Sequence, residues 1–211
     1  MALIKTNARS ASALDATILT GNLPALNGSA VTTINASNIS SGTLAAARYS
    51  GGKIGQVVSA HKDDLHSFSS SSTDTFADLN VSLNITPTAT SSKIFLISTV
   101  CISESTSATI HVRLLRDSTV INKIASLQSN QLTDMNSVRY QAATPYGNAL
   151  YDVSNNYLDS PNTTSQITYK LQGTLGGSYS GTYYVNRTND DVNNDFGART
   201  PSNLTAMEIL A

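Results

Sequence analysis

The sequence predicts an all-β protein: an antiparallel β-sandwich, jelly-roll-like, forming a knob on an N-terminal extended stalk segment and assembled as a homotrimer. Three observations lead there. Charged residues are only 13% of the 211-residue chain, about half the roughly 25% usual in soluble domains. Ser, Thr and Asn contribute 30, 25 and 19 residues, and low charge with abundant Thr, Val and Ile is a strand-forming composition. From Ile54 onward, short apolar or alternating runs recur between Ser/Asn/Gly-rich segments, the pattern of many short strands. No long amphipathic helical pattern follows residue 20.

Residues 1–18 read as a short arm. Residues 19–52 form a segment of different character, rich in Asn, Ser, Thr and Gly, with isolated aliphatics at Leu19, Leu23, Leu26, Val31, Ile34, Ile39 and Leu44. The last three follow a five-residue step, which fits neither a helix nor a simple strand. One copy has too few apolar residues for a core, so these side chains are assigned to the axis of a trimer in which identical chains share a thin apolar seam. Ser50-Gly51-Gly52 breaks the pattern, and residues 53–211 form the knob.

Within the knob, Ile54–Ala60 is a first strand and Ser67–Asp74 a loop. Leu79, Val81, Leu83 and Ile85 alternate with Asn80, Ser82 and Asn84, giving a strand with one wet face. Lys93–Ile102 is apolar on both faces and reads as a central or interfacial strand. Thr109–Arg116 and Thr119–Ala125 form a hairpin around Asp117-Ser118. Ser137–Ala143, Gln166–Leu175, Tyr179–Arg187 and Leu204–Leu210 complete the strands, with Pro145–Asn162 left as a loop. Exposed sheet edges and a two-faced apolar strand suit closed packing of several copies.

The net charge of −1 gives no electrostatic case for binding nucleic acid or an anionic membrane. No segment reaches 18 uninterrupted apolar residues, so no membrane insertion is expected, and the N-terminus has no secretory-signal pattern. The single Cys101 rules out an intrachain disulfide and, lying in IFLISTVCI, reads as a core residue.

No catalytic constellation is visible, and no cofactor is expected. The three histidines are His61, His66 and His111, and neither GxSxG nor HExxH occurs. The HKDDLH run holds His61, Asp63, Asp64 and His66, ligand types suited to a transition metal. On an extended chain the five-residue spacing puts the imidazoles on opposite faces, so the run reads as a polar loop. Asp191, Asn193 and Asp195 match the first positions of a calcium loop. Phe196 then stands where Gly is needed and Ser202 where a bidentate Glu is needed, and the stretch reads as a solvated turn. Eight of nine tyrosines lie between Tyr140 and Tyr184. Tyrosine pairs an apolar ring with a hydroxyl, and Tyr146, Tyr151 and Tyr157, in the expected loop, are the candidates for a receptor or glycan face.

The segments NLPALNGSAVTTINASNISSGTLAAAR, GKIGQVVSA, SLNITPTATSSKIFLI, YLDSPNTTSQITYKL, YYVNRT and SNLTAMEIL follow in the order usual for small tail-fibre-type proteins of bacteriophages, especially marine and cyanobacterial ones. The chain resembles that family over nearly its whole length. The resemblance implies a virion structural protein on the tail or capsid exterior, made in the host cytoplasm. Such a protein is a homotrimeric fibre held at its N-terminus by another virion protein, with its knob facing a host surface glycan or protein. A capsid decoration or cement protein, or a neck or tail appendage, is the alternative within the structural class. A surface-polysaccharide depolymerase is the alternative of another class, although Glu104 and Glu208 are the only glutamates and no paired-carboxylate site stands out.

Overall fold

The computed structural model describes residues 53–70, 75–105, 108–123, 132, 134–139, 149–176, 180–195 and 197–210, all in the unit Ala46–Ala211. The arm at residues 1–18, and with it Leu19, Leu23, Leu26, Val31, Ile34, Ile39 and Leu44, lies outside the described residues, as does Tyr146.

Eleven strands are described: β1 Lys53–Lys62, β2 His66–Ser70, β3 Ala77–Ile85, β4 Lys93–Glu104, β5 Thr109–Arg116, β6 Thr119–Ile121, β7 Asn136–Arg139, β8 Tyr151–Asp159, β9 Ile167–Gly176, β10 Gly181–Val185 and β11 Ser202–Leu210. Every pairing is antiparallel. One sheet runs β1-β11-β4-β10-β2, with β8 on the other side of β4; the second runs β3-β9-β5-β6, with β7 also on β5. The principal pairs nest: β1 with β11, β3 with β9, β4 with β8, and β5 with β6 and β7. That is one long antiparallel hairpin rolled into two sheets, the jelly-roll arrangement.

Alternation drives the layering. Leu79, Val81, Leu83 and Ile85 of β3 are buried, as are Ile110, Val112 and Leu114 of β5 and Tyr169 and Leu171 of β9. They form one core with Ile94, Leu96, Val100 and Ile102 of β4, Val153 of β8, Leu204 and Ala206 of β11, and Tyr183 and Val185 of β10. The β5–β6 turn places Asp117 at φ 54°, a left-handed conformation that Asn and Asp tolerate better than other non-glycine residues.

Four expectations are corrected. His66–Ser70 is a strand paired with β10, not the start of a loop. Tyr151–Asp159 is a strand paired with Ile94–Ile102 of β4, not part of a loop. The β6 strand ends at Ile121, with Asn122 and Lys123 outside it, short of the expected Ala125. The β4 strand is buried on both faces only in its second half: Cys101 and Ser103 are buried, while Phe95 is half-buried and Ile97 exposed.

The division along β4 has a physical cause. Its edge neighbour changes from β11, at Lys93–Thr99, to β10, at Ile102–Glu104. The segment joining β10 to β11 crosses the outer face there: the Cys101 thiol reaches the Pro201 carbonyl at 3.3 Å and the Ser103 hydroxyl the Arg187 carbonyl at 2.8 Å. Asn186 pins this fork at φ 68°. Its Nδ2 donates to the carbonyls of Lys62 and Asp64 at 2.8 and 2.9 Å, and its Oδ1 accepts from the Ser202 hydroxyl at 2.6 Å. The Ser202 oxygen in turn accepts the Cys101 amide at 3.0 Å. Burial, reinforced by Asp152, pushes the Cys101 thiol up to about 12. The thiol is therefore protonated at neutral pH, a core residue as the sequence suggests.

At the opposite end, Glu208 is fully buried. Its carboxylate accepts from the Thr88 amide and hydroxyl and from Gln56 Nε2, each at 2.7 Å, tying the β3–β4 connection to β11. Burial pushes this carboxyl upward, but the hydrogen bonds outweigh burial and hold it below its ordinary value of 4.5. A carboxyl depressed on folding stabilises the fold above its unfolded value and loses that contribution as pH falls through the folded value. Wild-type stability is thus expected to fall below about pH 4.5 more steeply than that of Glu208→Gln, measured as urea midpoints against pH. Parallel profiles would remove this assignment.

Candidate interaction face

Residues directly opposite in neighbouring strands carry side chains on the same face, so register identifies what the outer face of β8-β4-β11-β1 presents. One row is Leu158, Phe95, Met207 and Val57; the next is Asn156, Ile97, Thr205 and Ser59. A third row is Ser154, Thr99, Asn203 and His61. On the far side of the apolar row, Lys93 pairs with Ile209 and Ile209 with Ile54. An irregularity in β1 between Ile54 and Val57 keeps both on this face.

Six large hydrophobics are exposed among the described residues, and four are here: Ile54 at 50%, Val57 at 54%, Ile97 at 41% and Leu158 at 48%. The other two, Leu65 and Val192, stand singly on turns, which is ordinary. Four in adjoining rows make a patch. Beside it lies a band of hydrogen-bonded pairs: Ser59 with Thr205 at 2.9 Å, Thr99 with Ser154 at 3.0 Å, and His61 Nδ1 with Asn203 Oδ1 at 2.7 Å. Phe95, Ile97, Thr99, Ser154 and Asn156 border a shallow depression of about 260 Å³. The face has an apolar centre and a polar margin, an arrangement suited to contact with another surface.

The residues singled out by sequence fall elsewhere. Tyr157 is opposite buried Leu96 and Tyr151 opposite buried Ile102. Both are therefore half-buried on the side turned toward the second sheet, and Tyr157 packs against the core. The exposed loop position expected for them is not what the fold gives. His61 stands on the outer face, whereas His66 begins β2 beside Phe68, with 5.6 Å between ring centroids. Asp64 pairs with Lys62 at 2.7 Å and Asp63 is exposed, so the HKDDLH side chains do not converge. In the 189–197 stretch, Arg199 grips Asp191 through two bonds of 2.9 Å and holds its carboxyl below the ordinary value. The carboxylate at the first position of the calcium-loop spacing is thus already paired with a fixed cation. His111, on the face of β5 turned away from buried Ile110 and Val112, is largely covered and bonds to Asp134.

No known protein family matches the chain, and no curated protein is similar to it, so the resemblance to phage tail-fibre proteins gains no support from either comparison. Solved structures of infectious bursal disease virus do match. One of the Gt strain has 15% identity over 74% of this chain and 38% of that chain, with a TM-score of 0.38. A crystal structure of the VP2 subviral particle has 19% identity over 74% and 38%, with a TM-score of 0.36. The chain spans less than two fifths of the length of these chains. At such scores the likeness establishes neither kinship nor role.

Proposed function

We propose that this chain is a non-enzymatic virion structural protein, a trimeric fibre-like appendage whose jelly-roll knob serves attachment to a host surface through many weak contacts. The observation that carries the reading is the apolar face with its uncharged centre, on a chain of unusually low charge. Such a surface suits protein–protein contact better than small-molecule chemistry. The order of tail-fibre-like segments along the sequence supports the virion setting. Three knobs per fibre and several fibres per particle raise avidity without any strong single site.

In this reading, residues 1–18 dock on the particle and the aliphatics between Leu19 and Leu44 hold three chains together. The purified chain is expected to run in light scattering at about three times its 22.2 kDa mass. Replacing Ile34 and Ile39 together by Asp is expected to lower that mass while the knob keeps its cooperative melt. An unchanged mass in the double variant removes the seam assignment. Adsorption to host cells without release of reducing sugar separates a binder from a depolymerase. Capture by virions but not by cells favours a decoration protein.

A further inference from the structure

The segment joining β10 to β11 covers one end of the β4 outer face, over Cys101 and Ser103, and leaves the other end, from Phe95 to Thr99, bare. We propose that this bare part of the β8-β4-β11-β1 face is covered by another copy of the chain, neighbouring knobs of the trimer meeting through it around their common axis. The proposal rests on the self-association reading above and names the surface involved.

Three features select a second copy over another occupant. The first is charge. The two central rows contain Leu158, Phe95, Met207, Val57, Asn156, Ile97, Thr205 and Ser59, with no ionisable group among them. Lys93 lies at one margin and His61 and Asp152 at the other. A face with a neutral centre meets its own copy without like-charge repulsion, and the chain's net charge of −1 adds little repulsion at longer range. A partner chosen by charge would need a charged centre.

The second feature is size. Four strands and four rows span roughly 20 Å by 25 Å, about 500 Å² in projection. That approaches the ~600 Å² per partner at the lower end of specific interfaces. The third is connectivity. Residues 1–52 join the knob at Lys53, one residue from Ile54 at the corner of this face. Association of chains through residues 19–44 would raise the effective concentration of the knobs, so that a modest interface between them is sufficient.

The test places a spin label on Ser154→Cys in the full chain, at the margin of the face. Cys101 is buried and its thiol protonated, so the label goes to position 154 alone. Packed sheet faces lie ~10 Å apart, so pulsed dipolar spectroscopy is expected to give a defined inter-copy distance within about 30 Å. That distance should be lost in Val57→Asn/Ile97→Asn/Leu158→Asn with its circular dichroism unchanged; Leu158→Asn alone serves if the triple variant fails to fold. A multimeric mass with no inter-copy distance below about 60 Å, a span no packed pair of sheets would leave, overturns this inference and leaves self-association standing. A short distance that survives the substitutions also overturns it. A monomeric mass overturns both.

Discussion

Replacing Asp159 by Ala is expected to cost about 2–4 kcal/mol, because it takes a buried carboxylate away from a half-buried guanidinium and a buried phenol. Asp159 ends β8 at 4% exposure, and Tyr169 of β9 is fully buried. The Tyr169 hydroxyl donates to Asp159 Oδ2 at 2.6 Å, and Arg116 Nη1 donates to both carboxylate oxygens at 3.0 Å. One carboxylate therefore joins a strand of one sheet to two strands of the other. Burial first, and the neighbouring Asp159 second, push the Tyr169 phenol well above its ordinary value, so it stays a donor. Without Asp159, a guanidinium and a buried hydroxyl lose their acceptor. Tyr169→Phe removes only the hydroxyl and is expected to cost about 1–2 kcal/mol. Urea unfolding of both variants measures the contrast. A loss below 1 kcal/mol in Asp159→Ala would mean that the triad contributes little to joining the sheets.

The second large effect is expected at Asn186. Asn186→Ala strands the buried Lys62 carbonyl, the part-buried Asp64 carbonyl and the Ser202 hydroxyl, at about 1 kcal/mol each, the lower end for such groups. It also forces alanine into a left-handed conformation, which costs about 1–2 kcal/mol more. A total of about 4 kcal/mol shifts the melting temperature by roughly 8–16 °C in a domain of this size. Asn186→Gly loses the same hydrogen bonds without the backbone penalty. It is expected to melt a few degrees above the alanine variant and well below wild type. Equal melting of the alanine and glycine variants would show that the backbone conformation costs nothing there.

What was legible in the sequence follows from how each strand is buried. β3 declares itself because one face is buried and the other wet, so Leu79–Ile85 alternates without exception. The β5–β6 hairpin shows through Asp117-Ser118 between apolar runs. β2 was missed because HSFSS has one large apolar residue, Phe68, surrounded by serines. β8 was missed because YDVSNNYLD is mostly polar, although Tyr151, Val153 and Tyr157 keep a period of two that marks a strand. Choosing the tyrosines for exposure treated them as loop residues, whereas that same alternation turns both toward the core.

The interaction face was out of reach for a different reason. Its residues come from β8, β4, β11 and β1, and only pairing register places Leu158, Phe95, Met207 and Val57 in one row. Ile97 carried a partial signal, since an apolar run on both faces of β4 leaves one face in need of cover. The assignment of Lys93–Ile102 as central or interfacial anticipated that need without locating it.

The nesting of strand pairs also governs how the chain reaches its fold. Lys53 pairs with Leu210, roughly 150 residues apart, a separation that makes late, slow ordering the rule. β11 is not a peripheral addition: it lies between β1 and β4, so neither neighbour can complete its ladder before it arrives. A nascent chain must hold β1 to β10 unfinished until β11 has left the ribosome. Through that interval the apolar strand β4 has an open edge along Lys93–Thr99, the condition in which such chains aggregate. The sparse charge that leaves the centre of the folded outer face uncharged also gives the unfinished chain little repulsion to keep copies apart. Synthesis rate and temperature, more than final stability, should therefore decide how much of this protein is recovered soluble.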